Sequence, residues 1–348
     1  MIIKEKLLDW YKKNKRDLPW RRTSNPYYIW VSEIILQQTR VNQGLDYYNI
    51  FISIFPDIKK LANATIDEVM LVWKGLGYYT RARNMHAAAK HIKKTYNGKF
   101  PDSYDKIIQL KGVGKYTAAA VASIAFNESR PVIDGNVIRV YSRIFNITEP
   151  IDMAIGKRKI EEIAEVQIDT NEPGNYNQAI MEFGALQCVP KNPDCLNCIF
   201  LFECGAYKTG NVINLPVKSK SVKVKTRYFN YLIFYFNGKH YVFKRSARDI
   251  WNSLYQFPVI ESEKKISFQE LTLNTEWNYL MKGKVFRLLK SSEKIKHQLT
   301  HQTIYAVFHH IEIEAPLGHN NWLLKNISEM KNLGLPRLID NYITSEKF

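Results

Sequence analysis

Residues 110–126 read LKGVGKYTAAAVASIAF and place Gly112 and Gly114 between two apolar runs of helical spacing. Glycines here allow a tight turn, and they leave the backbone N–H groups at the start of the next helix open to a phosphate. The alanines at 118, 119, 120 and 122 allow that helix to pack closely. The pattern predicts a helix-hairpin-helix, which holds a DNA backbone without reading its sequence. An ordinary glycine-containing turn between two helices fits the same residues.

The chain has 348 residues and 45% hydrophobic content, which is enough for two domains with separate cores. Its formal net charge of +17 indicates a polyanionic partner. Nucleic acid is favoured over an anionic membrane because no basic amphipathic anchor stands out. The first 18 residues contain no uninterrupted apolar segment, so we expect no signal peptide, no membrane span and a cytoplasmic location.

The hydrophobic pattern changes near residue 210. Before that point apolar residues recur at helical spacing, and the sequence predicts a mostly α domain over residues 1–210. A basic linker is predicted over 211–227 and a smaller α+β domain over 228–348. Residues 227–247 alternate and contain Asn237-Gly238, which predicts a β-hairpin with a two-residue turn. A strand over 303–314 and a helix around 335–343 complete this domain.

All the cysteines of the chain lie in residues 188–204, CVPKNPDCLNCIFLFEC. They are Cys188, Cys195, Cys198 and Cys204, with the spacing C-x6-C-x2-C-x5-C. Disulfides are disfavoured in a reducing compartment, so the cluster indicates a metal site. Only Cys195 and Cys198 form the C-x2-C pair that zinc sites usually use twice, and four thiolates also suit a [4Fe-4S] cluster. The spacing leaves zinc and iron-sulfur both open.

Three motifs in order, LKGVGKYTA, VIDGNVIRV and the cysteine spacing, resemble the iron-sulfur branch of the helix-hairpin-helix DNA glycosylases. WVSEIILQQTRV, GLGYYTRARN and the added β-containing domain resemble the adenine DNA glycosylase family within that branch. The resemblance covers nearly all of the first 205 residues and less of the C-terminal part. It implies a helix-hairpin-helix glycosylase domain, a [4Fe-4S] cluster on the four cysteines and a Nudix-like C-terminal domain.

Release of a purine from its sugar requires an acid for the departing base and a negative charge for the cationic sugar. Taken alone, Glu33 in WVSEIILQQ fits a solvated helical glutamate, and Asp134 before Gly135 fits a helix N-cap. The resemblance implies that Glu33 is the catalytic acid, that Asp134 stabilises the sugar cation and that Asn136 orients this chemistry. Tyr116 occupies the position where strand-cleaving relatives carry a lysine, so we predict a monofunctional enzyme.

An enzyme that acts on a base in a duplex must extrude that base and fill the gap. The resemblance implies that Gln38 and Tyr78 enter the base stack and that Arg21 and Gln178 line the adenine pocket. The hairpin residues Gly112, Gly114 and Lys115 would contact the DNA backbone. From the residues alone, Gln38 is a polar helix end and Tyr78 a loop aromatic.

The C-terminal WNSLYQFP, residues 251–258, resembles a segment of a Nudix-like domain, and no glutamate-rich Nudix box accompanies it. We therefore predict a domain that recognises the lesion and has no pyrophosphatase activity. Leu299, Thr300 and His301 align with the loop that recognises 8-oxoguanine in the family, where an aromatic residue is usual at position 299. A surface position at a strand edge is the alternative for His301.

The resemblance implies that the partner is double-stranded DNA with adenine opposite 8-oxoguanine or guanine. A monomer associated with the nucleoid of a bacterial-type cell is the expectation. Two alternatives are an oxidised-pyrimidine glycosylase with lyase activity, which Tyr116 disfavours, and a noncatalytic iron-sulfur DNA-binding protein. The second predicts loss of Glu33 or Asp134, and both are present.

Overall fold

The computed structural model describes residues 3–219, 224–246 and 249–346, and the chain divides into two compact units. The first unit contains Met1–Ala64 and Asn84–Ser221, and the second contains Thr65–Arg83 and Val222–Phe348. The sequence-based division placed residues 65–83 in the helical domain. Helical periodicity predicts the helix in this segment but not its packing partner: the Tyr79 hydroxyl donates to the Leu335 carbonyl at 3.2 Å, and Lys74 pairs with Asp340 at 2.7 Å.

The first half of the chain is helical, as the periodicity predicts. The helices, in order, are α1 Lys4–Asn14, α2 Pro26–Leu36, α3 Val41–Ile54, α4 Ile58–Asn63, α5 Ile66–Val72, α6 Thr80–Thr95, α7 Tyr104–Ile107, α8 Lys115–Phe126, α9 Gly135–Ile144, α10 Ala154–Gln167, α11 Pro173–Leu186 and α12 Gly205–Lys208. A 3-10 turn, Pro19–Arg21, precedes α2. Helix α5 belongs to the second unit.

One hydrophobic core of the first unit lies among helices α1, α8, α9, α10 and α11. The apolar stripe of α1 buries Leu7 and Tyr11, while the alanines of α8 let α2 and α11 approach it closely. Helix α2 begins at Pro26, and the side chain of Asn25 accepts from the Tyr27 N–H as its cap. Burying each large apolar side chain contributes about 1.5–3 kcal/mol, so this core fixes how the helices are arranged.

The hairpin predicted from the two glycines lies between α7 and α8. Gly112 has φ +80°, and a Cβ there would meet the Asn84 Cβ at 2.5 Å. Gly114 caps α8 in extended conformation, and a Cβ on it would have nothing within 4 Å. The fold therefore requires glycine at 112 and tolerates a side chain at 114.

The second unit is built on a mixed sheet. Its strands are β1 Lys225–Phe236, β2 Lys239–Lys244, β3 Tyr255–Gln256, β4 Val259–Ser262, β5 Phe286–Ser291, β6 Ile295–Gln298, β7 Gln302–Ile313 and β8 Trp322–Lys325. The sheet order is β3-β2-β1-β7-β5, with β4 on β1, β6 on β7 and β8 on β2. Strands β1 and β7 run parallel, and the other pairs are antiparallel. Its further helices are α13 Phe268–Thr272, α14 Thr275–Met281, α15 Ile327–Lys331 and α16 Arg337–Ser345.

The predicted β-hairpin is confirmed. Strands β1 and β2 pair through a turn in which Asn237 and Gly238 have φ values of 48° and 75°. The predicted linker differs at both ends. Its residues 220–223 lie outside the described part of the chain, and β1 already begins at Lys225 because this segment pairs with β7. Earlier in the linker, the Leu215 and Val217 carbonyls accept hydrogen bonds from the first unit.

Helices cover the sheet on both faces. Leu232, Phe234 and Ile311 form one core with Trp277 of α14, and Phe308 on the opposite face stacks on Tyr342 of α16 with ring centroids 3.8 Å apart. Within residues 3–219, 224–246 and 249–346, no helix is long and apolar enough to span a membrane.

Replacing Gly112 with Ala should lower the free energy of unfolding by about 1–3 kcal/mol, because Ala must adopt positive φ and displace Asn84. Gly114→Ala is the matched control. It should change stability by less than about 1 kcal/mol, because weaker N-capping and reduced chain entropy oppose each other. Urea unfolding of both variants measures the difference, and equal midpoints would contradict this account of the hairpin.

Candidate active site

Glu33 lies on α2 and is 7% exposed. It is not the solvated glutamate that its helical position alone suggested, because α2 packs against α8 at this turn. The hydroxyl of Tyr116, on α8, donates to Glu33 Oε2 at 2.6 Å. Burial raises the pKa of Glu33 to about 7; the Tyr116 hydrogen bond opposes this rise and the nearby Asp134 carboxylate adds to it. Glu33 therefore retains a proton near neutral pH.

Asp134 is the N-cap of α9, as its position before Gly135 suggested. Its Oδ1 accepts from the Val137 N–H at 2.8 Å, and its Oδ2 accepts from Asn136 Nδ2 at 2.8 Å. Burial raises the pKa of Asp134, while these two donors oppose the rise. The helix N-terminus further favours the ionised carboxylate.

Arg139 fixes the orientation of Asn136. Its Nη2 donates to Asn136 Oδ1 at 2.9 Å and to the Gly184 carbonyl at 2.5 Å, and its Nε donates to the Cys188 carbonyl at 2.7 Å. Because the amide oxygen faces the guanidinium, the amide nitrogen must face Asp134. Arg139 thus holds both the start of the cysteine-containing segment, residues 188–204, and the N-terminal end of α9.

One open cavity of the first unit brings together six of the residues predicted from sequence. They are Arg21, Glu33, Tyr116, Asp134, Asn136 and Gln178. Arg21 is well buried, and its Nη1 and Nη2 groups donate hydrogen bonds to the Glu182 carboxylate at 2.8 and 2.7 Å. Gln178 accepts from the Tyr11 hydroxyl at 3.2 Å. Arg21 and Gln178, the two residues predicted to line the adenine pocket, are therefore held in place by other side chains of the protein.

Glu182 is a residue of this cavity that the sequence analysis missed. Its carboxylate is 1% exposed and also accepts from Arg16, at 2.9 Å to Nε and 2.6 Å to Nη2. Burial acts to raise the pKa of Glu182, but the hydrogen bonds from Arg21 and Arg16 lower it to about 2. The sequence did contain one indication of its role: Glu182 lies one helical turn after Gln178 in α11, and so on the same face of that helix.

The predicted lesion-recognition residues lie together in the second unit. Tyr78, with φ 49° and 48% of its surface exposed, has its hydroxyl 2.5 Å from Thr300 Oγ1. A cavity beside this contact is lined by Tyr78, Trp251, Leu299, Thr300 and His301. The loop is closed by a hydrogen bond from the Leu299 N–H to the Gln302 carbonyl at 2.8 Å.

The remaining predicted DNA contacts lie outside the cavity with Glu33. Gln38 follows α2 with φ 58° and is exposed. Lys115 begins α8 with an exposed side chain, and its Nζ lies 3.8 Å from the Glu161 carboxylate. Together with Gly112 and Gly114, Lys115 forms the exposed end of the hairpin.

The four cysteines are free thiols and line one cavity with Arg143 and Phe200. Burial raises the pKa of Cys198 to about 11, so its thiolate form is favoured only when a cation binds it. Two N–H groups point at sulfur: Phe200 N lies 3.4 Å from Cys198 Sγ, and Arg143 Nη1 lies 3.4 Å from Cys188 Sγ. Among the described residues, no three His, Cys, Asp or Glu side chains are grouped closely enough to hold a single metal ion.

The chain is similar to known DNA repair proteins over its whole length. Residues 31–167 match the family described as HhH-GPD superfamily base excision DNA repair protein, and residues 230–345 match the NUDIX domain. An adenine DNA glycosylase of Buchnera aphidicola subsp. Baizongia pistaciae is 33% identical over 100% of this chain and 97% of its own length. The human adenine DNA glycosylase is 40% identical over 55% of this chain and 37% of its own length.

Among solved structures, a thermostable thymine-DNA glycosylase has a TM-score of 0.54 and 28% identity, covering 58% of this chain and 94% of its own. An endonuclease III bound non-covalently to DNA has a TM-score of 0.52 and 22% identity, covering 60% and 96%. These likenesses and the two family matches confirm the predicted fold, a helix-hairpin-helix domain followed by a Nudix-like domain.

Replacing Glu182 with Gln should lower the free energy of unfolding at pH 7 by about 3–5 kcal/mol, because Arg16 and Arg21 lose their buried anion. The lowered pKa of Glu182 makes its ionic contribution present above about pH 4–5 and lost as the pH falls toward 2. The free energy of unfolding of Glu182→Gln should therefore fall less than that of the parent as the pH decreases across that range. Urea unfolding from pH 7 to 3 tests this. The free energy of unfolding of the exposed control Glu162→Gln should differ from that of the parent by less than about 0.5 kcal/mol. Equal stability of Glu182→Gln and Glu162→Gln across this pH range would refute the role of Glu182.

Proposed function

Because the chain belongs to the adenine DNA glycosylase family, we propose that it removes adenine paired with 8-oxoguanine, and more weakly with guanine, and leaves the DNA strand intact. It is an enzyme of base excision repair that acts on DNA. The observation that carries the finer proposal is the pairing of two differently stabilised carboxyl groups, Glu33 and Asp134, in one cavity.

Glu33 supplies the proton. A flipped adenine in the cavity is a poor leaving group unless it is protonated. Glu33 holds a proton near neutral pH and can protonate it. The acid gives this proton to N7 of the base as the glycosidic bond breaks. The Tyr116 hydroxyl remains hydrogen-bonded to the resulting carboxylate, which can then accept a proton from the attacking water.

Asp134 supplies the negative charge. Its two oxygens are held by the Val137 N–H and Asn136, so the carboxylate cannot rotate away from the cavity. A fixed anion stabilises the cationic sugar without the cost of reorganising solvent. Asn136, held in turn by Arg139, keeps this orientation.

The absence of a suitable amine supports the monofunctional proposal. Strand cleavage through a Schiff base requires a primary amine next to the sugar carbon. The cavity residues that the structure describes include arginines but no lysine. Lys115 precedes Tyr116, but its ammonium lies beside Glu161 on the exposed surface.

The hairpin and the base-stack residues position the duplex. Gly114 has open space where a Cβ would lie, although the fold does not require glycine there. That space lets the first N–H groups of α8 approach a phosphate. Gln38, exposed after α2, and Tyr78, exposed in the second unit, have the free surface that insertion into a base stack requires.

The lesion is read in the second unit. The hydroxyls of Tyr78 and Thr300 are in contact, and Leu299 and His301 line the same cavity. Hydroxyl groups can donate and accept, so they suit the altered polar edge of 8-oxoguanine. Leu299 supplies apolar contact without an aromatic ring to stack on the base.

The four cysteines fit a [4Fe-4S] cluster better than a single zinc ion. A zinc ion needs four sulfurs about 2.3 Å from one point, and the thiols line a cavity without such grouping. A cluster binds each thiolate at a separate iron, and donors to Cys188 and Cys198 sulfur are already present. Cys188, Cys195, Cys198 and Cys204 would hold it. It would order the loop that Arg139 and Arg143 contact, and base release requires no step through it.

A single-turnover assay on duplexes with adenine opposite 8-oxoguanine, guanine or thymine tests the proposal. We expect fastest adenine release opposite 8-oxoguanine, slower release opposite guanine, and strand breaks only after alkali treatment. Breaks before alkali would overturn the monofunctional mechanism. Equal rates opposite all three bases would overturn the lesion specificity.

Replacing Glu33 with Gln should reduce the single-turnover rate by at least about 100-fold while duplex affinity stays within about twofold, because the proton is lost but the backbone contacts remain. With Glu33 intact, the rate should fall about tenfold per pH unit above pH 7, since only the protonated acid is active. Parallel rate and binding measurements across pH 5–9 check this, with Glu162→Gln as the control. Equal loss of binding and rate would show a structural role for Glu33.

A further inference from the structure

Two tyrosines and two lysines share one face of the sheet in the second unit. Tyr228 of β1 and Tyr305 of β7 are register partners, and their rings stack with centroids 5.5 Å apart and planes 24° apart. Lys294 Nζ lies 4.8 Å from the centroid of the Tyr305 ring. Lys296 of β6 is the register partner of Tyr305, so its side chain leaves the same face. We call these four residues the tyrosine–lysine face.

The tyrosine–lysine face lies at the open end of β1 and β7. Farther along β1 and β7, Leu232 and Ile311 are fully buried in the core with α14. At the tyrosine–lysine face the two rings are half-buried and both lysines are exposed. The opposite side of the sheet at the same level is closed, since Ala306 is fully buried. The half-buried rings therefore belong to a part of the sheet where β1 and β7 are paired on both sides.

The donors of this face have no protein acceptors in the described part of the chain. Neither Lys294 nor Lys296 forms an ion pair there, whereas Lys244 and Lys290 of the same unit pair with Asp67 and Glu346. The hydroxyls of the two tyrosines likewise form no hydrogen bond within residues 3–219, 224–246 and 249–346. Ammonium and phenol groups are donors that proteins use for phosphate oxygens.

The tyrosine–lysine face adjoins the lesion-recognition loop. The Lys225 N–H, at the start of β1, donates to the His301 carbonyl at 3.0 Å, and Thr303 donates to Gln298 across the loop at 2.9 Å. Tyr305 follows His301 by four residues, which is about 13 Å along a strand. That distance corresponds to roughly four base-pair steps of duplex DNA.

We infer that the tyrosine–lysine face binds the phosphate backbone of the duplex beside the lesion pair, with Lys294, Lys296 and the two tyrosine hydroxyls as donors. The net charge of +17 and the continuity with the loop favour DNA as the occupant. The contact is independent of base sequence and of the lesion. It deepens the proposed function, because it rests on the loop at residues 299–301 lying against the damaged pair.

The test is the salt dependence of binding by the full-length protein to an undamaged duplex and to one containing 8-oxoguanine opposite cytosine. For Lys294→Gln/Lys296→Gln, the slope of log K against log salt should fall by about 1.8 on both duplexes, since each phosphate contact contributes about 0.9. The control Lys239→Gln/Lys282→Gln removes the same charge at the β1–β2 turn and the end of α14. It should change the slope by less than half as much.

Two further variants separate the possible outcomes. Tyr228→Phe/Tyr305→Phe keeps the ring pair and should weaken binding about twofold to tenfold without changing the slope. Thr300→Ala should reduce the preference for the 8-oxoguanine duplex and leave the slope unchanged. An unchanged slope in the lysine variant, or a change on the damaged duplex alone, would overturn the inference. Loss of adenine release from every duplex, with the lysine effect intact, would overturn the proposed function and not this contact.

Discussion

The burial of the Glu33 carboxyl group is the constraint on which the candidate active site depends. A carboxyl removed from water must keep its proton or gain donors, and here it gains one strong donor, the Tyr116 hydroxyl. That donor is in place because α2 packs on α8, and α8 is itself positioned by the hairpin that ends at Gly114. The hairpin that we propose contacts the DNA backbone therefore also places the donor that opposes the burial-driven rise in the pKa of Glu33.

Three carboxyl groups line the same cavity, two of them buried and that of Asp134 partly buried, and the donors around each one give it different chemistry. Glu182 has two arginines and a pKa of about 2, so it is a permanent anion that holds Arg21 in place. Asp134 has a helix N-terminus and an amide as donors, and the nearby Arg139 guanidinium also favours its anion. Glu33 accepts a hydrogen bond from the Tyr116 phenol, and the charge of Arg21 acts on it from a distance. Burial raises the pKa of Glu33 to about 7, and the neighbouring negative charge of Asp134 adds to that rise.

Sequence predicted most of what depends on local periodicity and turn chemistry. The helices of the first 205 residues, the hairpin at Gly112 and the Asn237-Gly238 turn follow from patterns that span a few residues. Packing partners are set by surfaces distant in sequence. For this reason helical periodicity assigned residues 65–83 to the helical domain, whereas their contacts group them with the second compact unit. Glu182 was missed for a related reason. A glutamate in a helix gives no sign of burial until the arginines that compensate it, 161 and 166 residues earlier, are placed beside it. Assignment of roles to Glu33 and Asp134 likewise came from the family resemblance, since either residue alone fits an ordinary helical position.

In the proposed function, the second unit combines two kinds of recognition that differ in range. The contact between Tyr78 and Thr300 depends on the direction and spacing of two hydroxyls, so it discriminates only when a base edge lies within hydrogen-bond reach. The lysines of the tyrosine–lysine face act through charge, which is felt over about 10 Å at 0.1 M salt and does not depend on the base. Leu299 provides no ring for stacking, so the loop itself contributes less affinity than an aromatic residue would. The proposed backbone contact adjoining that loop would offset this loss, because it would hold the duplex near the loop without favouring any base. Discrimination would then depend on the short-range hydroxyl contacts.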